Sequence, residues 1–116
     1  MSMDTRITDT ALALPMTFAT EQWMGARVFK VGTAERFKMF AILRPGSGEV
    51  TVKCPDGDTR DLLIEAGVAR AHSHLPRGGW AVLLCGEMEM DDVLARVEES
   101  YEVVRASLPK AFRREV

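Results

Sequence analysis

A chain of 116 residues, 47 % hydrophobic and 28 % charged, can bury one core without disulfide or metal staples, and a single domain over residues 1–116 is expected. Its formal net charge of −2 excludes a global pull toward nucleic acid or anionic membrane, so any contact with a polyanion must come from a local patch. Two cysteines, Cys54 and Cys85, each end an apolar run with no Cys-x-x-Cys spacing, which predicts buried neutral thiols in a reducing compartment.

The opening stretch "MSMDTRITDT" has no hydrophobic segment of the kind a secretory signal needs, and "MFAIL" and "WAVLLC" are too short to span a bilayer. A cytoplasmic protein without membrane attachment is expected. The first element is a helix capped by Asp4 or Thr5, with Ile7, Ala11 and Leu14 on its apolar side and Pro15 as its stop. Residues 16–26 read as irregular. Three strands follow, at 27–31, 36–43 and 49–54, joined by the turn compositions "GTAE" and "RPGSG". "PDGDTRDLLIEAG" is a short helix with acids at its start and Gly67 at its end. Residues 70–75 and 79–85 form a second hairpin across Pro76, Arg77, Gly78 and Gly79. The last element is a helix from about Asp91 to Leu108, whose stripe Val93, Leu94, Val97, Tyr101, Val104 and Leu108 has the helical period. Pro109 ends it, and "KAFRREV" is a basic tail. The order α-βββ-α-ββ-α predicts an α+β fold, an antiparallel sheet with helices packed on it.

Few residues invite catalysis. There is no Gly-x-Ser-x-Gly elbow and no phosphate loop, so no catalytic residues and no cofactor are expected. His72 and His74, the only histidines, alternate as two ligands on one strand face would, with Cys54 or Cys85 as a conceivable third. Zinc needs three or four convergent ligands. The cysteines belong to apolar runs and no acid flanks the pair, so the expectation is a hairpin with imidazoles at its rim and no metal. Tyr101, within the apolar stripe, should be core with its hydroxyl on a polar partner. Trp80 alternates with Val82 and Leu84 and reads as core. Trp23 either covers one end of the sheet or stands exposed to stack on a base.

Charge is segregated along the chain. Between Arg27 and Lys53 six basic residues face Glu35 and Glu49, whereas between Glu87 and Glu102 seven acids face Arg96 alone. Strand alternation puts Phe29, Val31, Phe37, Met39, Ala41, Leu43, Val50 and Val52 inward. Lys30, Arg36, Lys38, Thr51 and Lys53 then point outward. Lys30, Lys38 and Lys53 should share one patch across three strands, with Arg36 toward the tip. Phe40 and Ile42 would also point outward, which calls for something to cover part of that face.

The pieces "LALP" at 12–15, "VFKVG" at 28–32, "KMFAIL" at 38–43, "HLPRGGW" at 74–80 and "SYEVVRASLPKAFR" at 100–113 resemble the MmcQ/YjbR family of small bacterial proteins. That resemblance implies a CyaY-like sandwich. It also implies a DNA-binding role, by similarity of the fold to the double-wing domain of a phage transcription factor. Two features depart from the family pattern. "GTAERF" lengthens the first hairpin by an even number of residues, which extends each strand without flipping its faces. Pro76-Arg77-Gly78-Gly79 replaces a run of polar and basic residues, leaving Arg77 as its one cation.

The expected function is therefore non-enzymatic binding of double-stranded DNA. Lys30, Lys38 and Lys53 would neutralise phosphates, Arg36 and Arg77 would reach from the two hairpins, and Trp23 is a stacking candidate. No base-reading set is present. An interaction module that docks a protein partner or a second copy, and a small-ligand carrier around Trp23 and Trp80, remain open as alternatives.

Overall fold

The computed structural model describes residues 2–110. In chain order these form α1 (Met3–Leu12), β1 (Thr17–Gln22), β2 (Ala26–Gly32), β3 (Phe37–Arg44), β4 (Glu49–Lys53), α2 (Gly57–Glu65), β5 (Ala69–Ala71), β6 (Trp80–Leu84), one 3₁₀ turn (Cys85–Glu87) and α3 (Met90–Ala106). The six strands pair antiparallel throughout, in the spatial order β1-β2-β3-β4-β6-β5. Residues 111–116, with most of the basic tail, lie outside the described part.

All three helices pack on one face of the sheet. Ile7 and Ala11 of α1, Val93, Val97 and Tyr101 of α3, and the flanking Leu63 and Ile64 of α2 share one core with Phe29, Val31, Leu43, Val50, Val52 and Leu83. The stripe read from the sequence is therefore the face α3 turns to the sheet. None of the helices among the described residues lies over the opposite sheet face. The fold is the α+β sandwich expected, in two layers.

Local chemistry accounts for most element ends. Ser2, not Asp4 or Thr5, caps α1: its Oγ accepts the Thr5 N–H at 3.1 Å. Asp4 instead accepts the Gly46 N–H at 2.9 Å, tying α1 to the β3–β4 turn. Asp56 caps α2 through the Thr59 N–H at 2.7 Å, and those hydrogen bonds hold its carboxyl below the usual carboxylate range. Gly67 ends α2 in the left-handed region, at φ 80°, as its position suggested.

Two elements differ from the sequence reading. Residues 17–22 form the edge strand β1, where irregular chain was expected. "TFATEQ" has little apolar alternation of its own, and the strand is held by its ladder with β2, Thr17↔Val31 to Gln22↔Ala26. The second hairpin is also looser than expected. β5 stops at Ala71, and residues 72–79 make a loop, so His72 and His74 are loop residues rather than strand neighbours.

The third difference changes both faces of the sheet. Phe29 pairs with Ala41 but Lys30 pairs with Met39, which makes Phe40 the extra residue of a β-bulge. Phe40 turns into the core, with its ring 5.5 Å from that of Tyr101 in an edge-on arrangement and 6.3 Å from that of Phe29. Beyond the bulge the alternation of β3 is inverted. Phe37 and Met39 lie on the helix-free face, and Lys38 lies on the helical side. The β3–β4 ladder ends beside the bulge, at Ala41↔Val52, and a helix side chain bridges the next pair of backbone groups: Ser100 Oγ donates to the Phe40 carbonyl at 2.6 Å and accepts the Lys53 N–H at 2.8 Å.

Two substitutions test this packing. Val97 is fully buried, and an unpaired carboxylate there costs several kcal/mol against a total domain stability of about 5–15 kcal/mol. Val97→Asp should therefore abolish the cooperative melting transition. Ser100→Ala leaves two buried backbone groups without partners, at about 1–3 kcal/mol each. Denaturant unfolding should show it less stable by several kcal/mol, whereas a loss below half a kcal/mol, as a rough bound for ordinary surface positions, would mean that Ser100 does not bridge the bulge.

Candidate functional site

The helix-free face concentrates the features outside the core. Its middle row is Val28, Ile42, Thr51, Val82 and Arg70, each paired with the next across the sheet. A small second cluster sits on it: Ala26, Val28 and Ile42, with Met39 and Leu75 packed against them. Leu75 comes from the 72–79 loop, which folds over this face. The loop is anchored at Pro76, whose carbonyl accepts from Arg60 Nη1 at 3.1 Å, and at Gly79, whose carbonyl accepts the Cys54 N–H at 2.8 Å. A Cβ on Gly79 would stand 2.9 Å from the Cys54 carbonyl oxygen, and its φ is +77°, so both contact and backbone require glycine. The cover expected for Ile42 is thus the chain's own loop, while Phe40 is covered by α3.

A groove of about 870 Å³ runs between this loop and the β1–β2 turn. The turn is strained: Trp23 and Met24 have φ of 47° and 63°, followed by Gly25 at 92°. Two consecutive non-glycine residues in the left-handed region are uncommon. They carry Trp23, 55 % exposed, and Met24, 99 % exposed, to the rim. Ile42, Val82 and Thr51 form the floor, and Arg44, Arg70, His72 and His74 supply polar groups at the rim. Arg70 binds both Glu49 oxygens, at 2.7 and 3.4 Å. Arg44 Nη1 reaches the Trp23 carbonyl at 3.4 Å and has no ion pair among the described residues.

Of the lysines expected to share a patch, the structure brings two to one face. Lys30 lies on the helix-free face with its Nζ 4.7 Å from the Phe37 ring centroid. Lys53 lies there too, paired with Trp80 and 5.7 Å from its ring. Lys38 does not, because the Phe40 bulge inverts its side. Its Nζ donates to the Ser107 carbonyl and Oγ at 3.2 and 3.1 Å, closing the C-terminal end of α3. Arg36 is exposed in the β2–β3 turn and Arg77 in the covering loop. Trp80 and Val82 face the helix-free side, and Ala81 and Leu83 enter the main core, the reverse of the parity expected for β6. Arg44, Arg70 and Thr51 join the site although sequence reasoning did not select them. The alternation of β3 past Ala41 was the one signal that could have found Arg44.

The histidines and cysteines fall on different sides of the molecule. The His74 N–H donates to His72 Nδ1 at 3.1 Å, and the two rings are 6.0 Å apart. Cys54 and Cys85 are buried in the helical core, where burial pushes both thiols up. Among the described residues no three His, Cys, Asp or Glu side chains gather where they could hold a metal ion. Tyr101 is core with a satisfied hydroxyl, donating to the Pro15 carbonyl at 2.9 Å. No described helix is long and apolar enough to cross a membrane.

A sequence model of the YjbR family matches residues 12–103. The chain belongs to the YjbR family. The fold agrees with that of Deinococcus radiodurans protein DR2400, a crystal structure carrying the family domain DUF419. The TM-score is 0.86 at 22 % identity, covering 97 % of this chain and 86 % of that one. No curated protein matches the chain. Two of the resembling motifs have structural roles in this YjbR chain: Ser100 of "SYEVV" bridges the bulge, and Tyr101 ties α3 to Pro15 of "LALP".

Burial pushes the His72 imidazole below its ordinary value, with the charges of His74, Arg70 and Arg44 adding to the effect. A histidine whose folded value lies below that of the unfolded chain, about 6.5, binds its proton more readily unfolded. Its contribution to stability is then complete above that value and is lost as pH falls toward the folded one. The proton would also compete with the His74 N–H for Nδ1. A proton NMR titration should give His72 a midpoint below 6.5, and Arg44→Gln should raise it. A midpoint at or above the unperturbed value would place His72 out in solvent.

Proposed function

We propose that this protein is a non-enzymatic DNA-binding protein that holds the phosphate backbone of the duplex on its helix-free sheet face. The observation that carries this reading is the charge division between the two layers. Lys30, Arg44, Lys53 and Arg70 stand on the open face against Glu49 alone, which Arg70 already neutralises. Asp91, Asp92, Glu98, Glu99 and Glu102 are gathered on α3, across the sheet, three of them paired with Arg6, Arg96 and Arg105 and Asp92 and Glu98 without an ion pair among the described residues. A duplex approaching the molecule is attracted to one side and repelled by the other. Exposed Arg36 and Arg77 extend the basic face at its two loops, and exposed Trp23 offers a ring for stacking. The role implied for MmcQ/YjbR proteins agrees with this reading. Binding rather than catalysis is favoured by the protonated, buried state of both thiols and by the engagement of His72 Nδ1 with a backbone N–H.

With three or four cations each neutralising one phosphate, the logarithm of affinity should fall against the logarithm of salt with a slope of about −3 to −4, around a nonspecific Kd of about 10⁻⁴ to 10⁻⁶ M. Changing Lys30, Lys53 and Arg77 together to Ser should remove most of that slope, equally for unrelated duplexes. Lys38→Ser, on the helical side, should leave it unchanged. Binding lost in Lys38→Ser and retained in the triple variant would overturn the assignment of the face. No binding at low salt would leave a module docking a protein partner as the reading to pursue.

A further inference from the structure

Two cavities of similar size flank the sheet, and their chemistry differs. The cleft between α2 and α3, about 890 Å³, is lined by Glu87, Glu89, Asp92 and Glu99 with Arg96. Arg96 is bonded to Glu99 at 2.9 Å, and no buried polar group there lacks a partner, so the cleft is a solvated acidic surface. The groove on the helix-free face is built otherwise.

Thr51 is its central feature. The residue is 5 % exposed, points into the groove between Ile42 and Val82, and its hydroxyl has no hydrogen-bond partner among the described residues. A buried hydroxyl left unpaired costs about 1–3 kcal/mol, so a polar group in the middle of an apolar floor marks a place where a bound molecule completes the bonding. Arg44 is the second unmet group: a guanidinium at the rim with a neutral carbonyl as its only bonded partner. Glu49, the one acid of the groove, is already held through both oxygens by Arg70, so the unmatched charge is positive. The strained turn that lifts Trp23 to the rim is the third feature. A groove of about 870 Å³ lies in the size range of small-molecule sites, about 300–1,000 Å³, and an indole beside an apolar floor favours a flat ring.

We propose that this groove binds a small planar aromatic anion, with its ring on Ile42 and Val82 beside Trp23, its negative group on Arg44 and a polar ring substituent or acid oxygen on the Thr51 hydroxyl. The site goes beyond DNA binding: it shares Arg44 and Trp23 with the face proposed for the duplex, but it uses neither Lys30, Lys53 nor Arg77 and requires no nucleic acid. Its ligand is selected by shape on the floor and by charge at one end of the rim.

The test is an amide NMR titration of the intact protein with 1-naphthoate, alongside 1-naphthylmethylamine as the same ring with the opposite charge. Saturable shifts should appear at Thr51, His72, Leu75 and the Trp23 indole N–H for naphthoate and not for the amine. Arg44→Gln and Thr51→Val should each weaken naphthoate about tenfold, the loss of one good polar contact. Thr51→Val should melt no lower than the parent, because it removes a hydroxyl that had no partner. The Lys30, Lys53, Arg77 triple variant should bind naphthoate as the parent does, which separates this site from the DNA-binding reading. Equal binding of the amine, shifts centred on the acidic cleft, unaltered affinity in both groove variants, or no saturable shift at all would each overturn the proposal.

Discussion

The bond on which both faces of this sheet depend is made by a serine in a helix. Ser100 Oγ stands between β3 and β4, giving its proton to the Phe40 carbonyl and accepting the Lys53 N–H. Those two backbone groups lie on neighbouring strands one step past the last pair of their ladder, Ala41↔Val52, and buried groups left without partners there would be costly. With Ser100 in place, the extra residue can turn its ring under α3 and meet Tyr101. Everything in β3 before Phe40 then has the opposite parity. Lys38 goes to the end of α3, and Phe37 and Met39 go to the face that carries Lys30.

That inversion shapes the chemistry of the helix-free face. Met39 joins Val28, Ile42 and Leu75, giving the covering loop an apolar seat. Phe37 meets the Phe18 ring edge-on at 5.5 Å and lies under the Lys30 ammonium. The two lysines on this face are set on aromatic rings, Lys30 on Phe37 and Lys53 on Trp80, an arrangement that holds a flexible side chain against the sheet without neutralising it. The acids that would neutralise it are in the other layer. Polarity across the sheet is thus a product of topology: β2 to β4 are basic, α3 is acidic, and the sheet stands between their outer surfaces.

The groove follows from two loops that meet over the same apolar row. One is the β1–β2 turn, with three successive residues at positive φ. The other is the 72–79 loop, held at Pro76 by Arg60 and at Gly79 by Cys54. Between them they leave an apolar floor with one hydroxyl, bordered by one guanidinium, Arg44, bonded to a neutral carbonyl and to no acid among the described residues. His72, bonded to the loop backbone and held below its ordinary pKa by burial and then by the neighbouring positive charges, stands at the loop end of the groove.

Sequence alone determined the elements whose signal is local. β2, β3, β4 and β6 are dense in β-branched and aromatic residues, α2 has its acidic start and terminal glycine, and α3 carries a stripe at the helical period; each was legible within a window of its own length. The buried state of Cys54, Cys85 and Tyr101 was legible for the same reason, as was the separation of basic strands from an acidic helix. The resemblance of "SYEVV" and "LALP" to one family was readable, but not that these two motifs touch. β1 escaped because an edge strand with one apolar pair is stabilised by its neighbour's ladder and not by its own pattern. Only the tertiary structure decided the parity of β3, and with it the side on which Lys38 falls. An alternation rule assumes that every residue advances the pleat, and whether one residue drops out of register is settled by a hydroxyl 60 positions away in sequence.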